Sequence, residues 1–274
     1  MKLSIITINR NNGQGLRKTM QSVLSQTWKE FEYIIIDGAS NDNSVDVIES
    51  EIENVVDKEN PIVNYVSEQD TGVFNAMNKG INKTTGRYLL FLNSGDYLVD
   101  KDVLKSFFAN EYASDIIIGK CRVSNNGESI ALISPPDIIS FGFFYNNSLA
   151  HQATFIKKSL FDEYGSYRDD LKFMGDWEFF LRTIILGNAT TKNSDIIVSD
   201  YNMNGISSVD ANQTAIIQEK NQIYQQSILR NFLADYEHFN NKMKELEMIS
   251  WAWKKRIFRW SIKYVFSVVK FVNK

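Results

Sequence analysis

LSIITI, residues 3–8, followed by the polar run NRNN, residues 9–12, is the stretch on which the fold turns. The run is short, rich in β-branched residues and apolar on both faces, the pattern of a strand buried inside a parallel sheet. Working outward, Asn12 predicts the cap of a helix over 13–26, with Leu16, Met20, Val23 and Leu24 at helical spacing. FEYIIID (31–37) repeats the buried-strand pattern, and a helix carrying Val45, Val47, Ile48 and Ile52 follows. IVNYV (62–66) reads as a third strand. A helix over 73–83 then presents Phe74, Met77 and Ile81, and RYLLFL (87–92) is a fourth strand. Strands alternating with helices imply βαβ units, right-handed crossovers and a parallel sheet. The expected class is α/β, with a mostly parallel central sheet flanked by helices.

The second half is less regular. DIIIG, SIALIS and ATFI within 115–156 are strand-like, and DWEFFLRTIIL (176–186) predicts an apolar helix. From about Ala211 to Ile249 the pattern is helical and polar, with no Gly or Pro to interrupt it. The expected division is a main domain over 1–210, in two halves (1–99 and 100–210), with a helical extension over 211–274.

Composition narrows the class. An apolar fraction of 43% with three prolines and fourteen glycines is that of a chain with a sizeable core. A single cysteine, Cys121, excludes an internal disulfide framework and suits a reducing compartment. The opening apolar run is too short for a signal peptide, and no stretch reaches the length of a membrane span, so the expected location is the cytoplasm. The net charge of −3 conceals an asymmetry: from Trp251 onward there are seven Lys or Arg and no acid, leaving the body at −10. So acidic a body excludes general nucleic-acid binding, which needs clustered positive charge. In the tail, Trp253, Ile257, Trp260, Tyr264, Val268 and Phe271 share one helical face. Arg259, Lys263, Lys270 and Lys274 lie towards another, with Lys255 near them. That pattern predicts an in-plane anchor on anionic lipid at the inner face of the cell membrane. The alternative, a terminal helix packed on the body or on a second subunit in a homo-oligomer, stays open.

Open parallel sheets bind ligands just beyond the carboxyl ends of their strands. The residues there are Asn9 and Arg10 after strand one, and Asp37, Gly38, Ser40 and Asp42 after strand two. Glu68, Gln69, Asp70 and Gly72 follow strand three, and Asn93, Ser94, Gly95 and Asp96 follow strand four. Asp96 directly follows an apolar strand in FLNSGD (91–96). A carboxylate so placed suits Mg²⁺ or Mn²⁺ bound mainly through a ligand's phosphate oxygens, although a turn aspartate capping the next helix fits the position equally well. Asp37 can accept from a base N–H or a ribose hydroxyl, or begin an Asx-turn. Asp176 opens a helix in FMGDWEFFLR (173–182), where cap and general base are both open. His151, in LAHQATFI (149–156), is structural or touches phosphate, metal or acceptor.

Together these stretches resemble the large inverting glycosyltransferase family 2, which has the GT-A fold. SIITINRN (4–11), QSVLSQT (21–27), IIIDGASNDNS (34–44), SEQDTGVFNAMNKGI (67–81) and GRYLLFLNSGD (86–96) resemble its blocks in order. AHQATFIKKSLF (150–161) and GDWEFFLR (175–182) resemble acceptor-side blocks of members that build bacterial surface polysaccharides. The resemblance covers roughly 3–205. It implies that Thr7, Asn9 and Arg10 line the base and ribose, that Asp37 binds uracil or ribose, and that Asp70 closes that pocket. It further implies that Asp96 holds the metal, with Asn93, Ser94 and Gly95 around the diphosphate, and that Asp176 is the base. The donor implied is a nucleotide-sugar, UDP first and GDP or dTDP after it, with a saccharide or lipid-linked acceptor. The chain departs from the family where Gly38 follows Asp37, where Asn93, Ser94 and Gly95 leave Asp96 as that turn's one acid, and where Gly175 precedes the base. RIFRW (256–260) echoes the QxxRW motif of processive members, but Arg256 stands where glutamine belongs, so transfer of one sugar per encounter is expected. No glycine-rich dinucleotide turn or P-loop is present. A sugar nucleotidyltransferase, or a GT-A module that only binds nucleotide, are the competing readings.

Overall fold

The computed structural model describes residues 2–55, 61–125, 128–202, 212–225, 227–254 and Lys263. In chain order the first half runs β1 (Leu3–Asn9), α1 (Gly13–Leu24), β2 (Phe31–Asp37), α2 (Ser44–Glu53), β3 (Ile62–Ser67), α3 (Val73–Ile81) and β4 (Tyr88–Phe91). The second half runs β5 (Tyr97–Leu98), α4 (Val103–Phe108), β6 (Ile116–Asn125), β7 (Glu128–Ile133), α5 (Phe141–Asn146), β8 (Thr154–Lys157), α6 (Ser159–Tyr164), α7 (Gly175–Phe180) and β9 (Thr191–Asn202). Helices α8 (Gln213–Tyr224) and α9 (Ser227–Lys254) complete it.

The sheet order is β3-β2-β1-β4-β8-β6-β9-β5, with β7 beside β6. The first four strands are parallel neighbours, as their alternation with helices predicts. Beyond β4 the sheet is mixed. β8 runs antiparallel to both β4 and β6, whereas β6 and β9 are parallel. This arrangement decides where the chemistry sits. β8 enters the sheet at the edge where β4 leaves it, so the segment before β8 meets the loop after β4.

β1 and β2 are buried at every position, because α1 and α2 cover one face and α3 the other. Asn12 caps α1 as expected, its side chain accepting from Gly15 N at 3.1 Å, and Leu16, Met20 and Val23 turn inward. α3 lies close on β1: a Cβ at Gly80 would come within 2.5 Å of Ile6 Cγ2. β3 is an edge strand and leaves Ile62 and Tyr65 exposed.

The helical run expected over 176–186 is divided. α7 ends at Phe180 and continues as a π-helix over Leu181–Leu186, a form found mostly as single turns at functional sites. α7 is fixed from behind by aromatic packing. Phe179 stacks on Phe161 at 4.3 Å, and Tyr167 meets Phe91, Phe161 and Phe179 edge-on at 5.2–5.4 Å. Each such pair contributes about 0.5–1.5 kcal/mol beyond its buried area.

Contacts divide the chain into Met1–Lys220 and Asn221–Lys274, ten residues later than the boundary expected from sequence. Most of α8, including Glu219 and Lys220, therefore belongs with the sheet. The membrane-anchor pattern of the tail lies almost wholly outside the described residues. Among the described residues, no helix is long and apolar enough to cross a membrane.

Candidate active site

The four parallel strands deliver their loops to one edge, and the loops are tied together by side chains. Asp37 is the knot. Its Oδ1 accepts from Asn9 Nδ2 at 2.8 Å and Ser40 Oγ at 2.6 Å, and its Oδ2 from Ser40 N at 2.9 Å and Ser67 Oγ at 2.7 Å. Burial pushes this carboxyl up, but the bonds from Ser40, Ser67 and Asn9 outweigh it and hold it below the usual carboxylate range. Four donors fill the acceptor capacity of a carboxylate. Asp37 therefore holds the ends of β1, β2 and β3 together.

Thr7 is completely buried in β1, and its hydroxyl accepts from Tyr33 at 2.9 Å. Asn9 is buried and spent on Asp37, with its Oδ1 lacking a hydrogen-bond partner. Arg10 is exposed beside Gly38. Asp70 accepts from Gly72 N at 3.0 Å and packs its other oxygen where a Cβ of residue 38 would stand, 2.2 Å away. A side chain at 38 would require the Asp70 carboxylate to shift.

The loop after β4 is built around a glycine with φ of 108°, Gly95, whose N–H donates to Thr19 Oγ1 at 2.9 Å. Asn12, the cap of α1, also donates to Ser94 O at 3.0 Å. Asp96 is 5% exposed, and its own carbonyl is held by Thr19 Oγ1 at 2.6 Å. In the same turn Asn93 Oδ1 is buried and has no hydrogen-bond partner among the described residues. His151 occupies a 3₁₀ turn just before β8. Its Nδ1–H donates to Asp176 Oδ2 at 3.1 Å, and its Nε2 accepts from Asn93 Nδ2 at 3.4 Å. Burial pushes the imidazole pKa down, but the hydrogen bond and charge of Asp176 and the charge of Asp96 outweigh this and hold it above the ordinary value. His151 thus links the β4 loop to the start of α7. Asp176 Oδ1 accepts from Trp177 N at 2.8 Å, so this carboxylate binds an amide in the first turn of its own helix while its other oxygen faces the histidine.

Two residues in this region carried no signal in sequence. Glu219 of α8 accepts from three consecutive amides, Lys172 N at 2.7 Å, Phe173 N at 2.9 Å and Met174 N at 3.1 Å, just before α7. Asp200 of β9, in register with Tyr97, is fully buried and accepts from Arg122 and Ser124, while its Oδ1 has no hydrogen-bond partner. Both pairings span dozens of residues, and no local motif announces them.

Residues 4–160, more than half of the chain, match the family described as Glycosyl transferase family 2. The chain belongs to that family. As a family 2 glycosyltransferase it is 28% identical over 202 residues to a PGL/p-HBAD biosynthesis glycosyltransferase of Mycobacterium bovis, covering 73% of this chain and 76% of that one. It is 32% identical over 174 residues to the poly(ribitol-phosphate) beta-N-acetylglucosaminyltransferase TarP of Staphylococcus aureus, covering 59% of this chain and 50% of TarP. Among solved structures it resembles S. aureus TarS 1–349 in complex with UDP-GlcNAc, with a TM-score of 0.61 at 21% identity, over 74% of this chain and 58% of that one. The mannosyltransferase PcManGT from Pyrobaculum calidifontis, in complex with GDP-Man and Mn²⁺, follows with a TM-score of 0.56 at 13% identity, over 73% and 56%. The chain thus spans little more than half the length of these structural neighbours, and at such identities the likeness concerns the fold, which is GT-A.

The donor set at Asp96 suits a hard cation. Among the described residues no group of three or more His, Cys, Asp or Glu could hold a metal alone. Asp96 and the orphaned Asn93 Oδ1 are both oxygen donors, and so incomplete a shell fits Mg²⁺ or Mn²⁺ that takes its remaining ligands from phosphate.

Proposed function

We propose that the chain transfers one sugar per encounter, with inversion, from a nucleotide-diphospho-sugar to a hydroxyl of a saccharide or lipid-linked acceptor in bacterial surface polysaccharide synthesis. The observation that carries this reading is the His151 bridge, which joins the loop bearing Asp96 to the helix bearing Asp176. The two carboxylates so joined have different tasks. Asp176 takes the proton from the acceptor hydroxyl as its oxygen attacks the anomeric carbon and the bond to the diphosphate oxygen breaks. Asp96, helped by Asn93, would hold a divalent cation, which supplies Lewis-acid stabilisation of the leaving diphosphate. Arg10 and Asp70 line the nucleotide end, Ser94 and Gly95 lie beside the diphosphate, and His151 orients Asp176. The ligands of the structural neighbours, UDP-GlcNAc in TarS and GDP-Man in PcManGT, support a UDP-linked donor first and a GDP-linked one second.

A thermal-shift screen of UDP-, GDP- and dTDP-sugars with and without Mn²⁺ tests this. A ligand that binds the native state alone at a hundred times its Kd stabilises by about 2.7 kcal/mol. The expected result is a rise in Tm with a UDP-sugar that grows when Mn²⁺ is added. If no nucleotide-sugar moves the melting curve, the reading fails. A donor that binds but is neither transferred nor hydrolysed would instead favour the non-catalytic module.

The basic tail from Trp251 is, in this proposal, the means of holding an acidic enzyme near a lipid-linked acceptor. Each Lys or Arg near an anionic surface is worth about 1 kcal/mol. Reversing the charge at Arg259, Lys263 and Lys270 is expected to release the full chain from phosphatidylglycerol vesicles at low salt. Unchanged cosedimentation would refute the anchor.

A further inference from the structure

We propose that α9 is the surface through which two copies of this chain associate, parallel and in register. Taken by itself, α9 is a helix of 28 residues, about 42 Å long at 1.5 Å per residue. From Asn241 to Trp251 every residue is exposed. An isolated helical stretch of fewer than about 12–15 residues is marginal in water, and most helices in proteins are stabilised by packing an apolar face. This segment instead shows water Met243 at 40%, Leu246 at 57%, Ile249 at 60% and Trp251 at 61% exposure.

The apolar residues are ordered along the helix. Phe232, Phe239, Met243 and Leu246 follow one another at steps of seven, four and three, so they form one narrow stripe. Alternating three- and four-residue steps make the seam of a two-stranded coiled coil, where each side chain enters a hole on the facing helix.

Charge identifies the occupant. Between Ser227 and Lys254 four basic residues are balanced by four acidic ones, so this helix has no electrostatic attraction to anionic lipid. The balance is also patterned. Lys242 immediately precedes the seam residue Met243, and Glu247 immediately follows Leu246, so the two flank the stripe on opposite sides. In a parallel pair, a residue in the first flank faces the residue five positions on in the second flank of the other helix. Lys242 would then meet Glu247 of the partner subunit, twice by symmetry. Among the described residues of one copy Lys242 makes an exposed contact with Glu245 at 3.4 Å, which contributes little.

Sedimentation equilibrium of the full chain tests this. The wild type is expected at twice the 31.6 kDa of one chain across the micromolar range. M243E/L246E is expected at the mass of one chain, with donor-induced melting shift unchanged. Lys242→Glu and Glu247→Lys are each expected to raise the dissociation constant, and the two together to restore it, a readout that does not depend on how the apolar variant folds. A wild type that stays monomeric, or an M243E/L246E variant that keeps its size, overturns the proposal. So does a charge swap that fails to restore association, or a monomer whose binding to phosphatidylglycerol vesicles is lost in M243E/L246E, which would give the stripe to lipid.

Discussion

Asp96→Asn is expected to abolish the metal dependence of donor binding and to lower turnover by about 10²-fold or more, the scale seen when one preorganised charge-stabilising group is lost. Asp96 is the one acid in the turn after β4, and Asn93 supplies only a neutral oxygen beside it. Asparagine keeps the shape and the backbone contacts to Thr19, so the turn should survive while its charge does not. The check is donor affinity by calorimetry with and without Mn²⁺, alongside turnover. A variant that still binds donor more tightly with Mn²⁺, and turns over near the wild-type rate, removes Asp96 from the proposed metal site.

Asp176→Asn is expected to leave donor affinity nearly intact while lowering the transfer rate by about 10²-fold or more, the usual worth of a general base. In the proposed mechanism the base acts on the acceptor, whereas the nucleotide would rest on the loops after β1 to β4. A second readout is independent of turnover. The charge of Asp176 helps to hold the His151 imidazole pKa above its ordinary value, so the substitution should lower it, as ring titration by NMR would report. The pair's contribution to stability is fully present below the ordinary histidine pKa and fades as pH rises through the raised one. Asparagine should therefore destabilise the protein more at mildly acidic pH than at alkaline pH. Loss of donor affinity equal to the loss of rate would make Asp176 a helix cap and no more.

The sequence revealed what is local. LSIITI and FEYIIID are buried on both faces because their pattern offers no solvent side, and Asn12 caps α1 because the cap lies three residues from its donor. The order in which loops follow strands placed Asp37, Asp70 and Asp96 at one edge for the same reason. Strand direction in the second half was not legible, since a short apolar run reads alike either way along, and only pairing made β8 antiparallel. The task of each polar group was legible only in part. Asp37 lies where expected, yet Ser40, Ser67 and Asn9 saturate it, and two of these come from other strands. Thr7 has a ligand-facing residue type on a strand that solvent never reaches. His151 and Asp176 are each ambiguous alone, and only their contact suggests a shared task.

The carboxylate of Glu219, which gathers the amides of Lys172, Phe173 and Met174, also bears on the order in which the enzyme is assembled. A ribosome makes β1 to β4 and every loop proposed for the nucleotide within the first hundred residues, so that half has its own partners early. The turn ahead of α7 gains its acceptor only after residue 219 has been translated. On the growing chain the donor end of the site can be complete well before the turn that presents Asp176 is held in place.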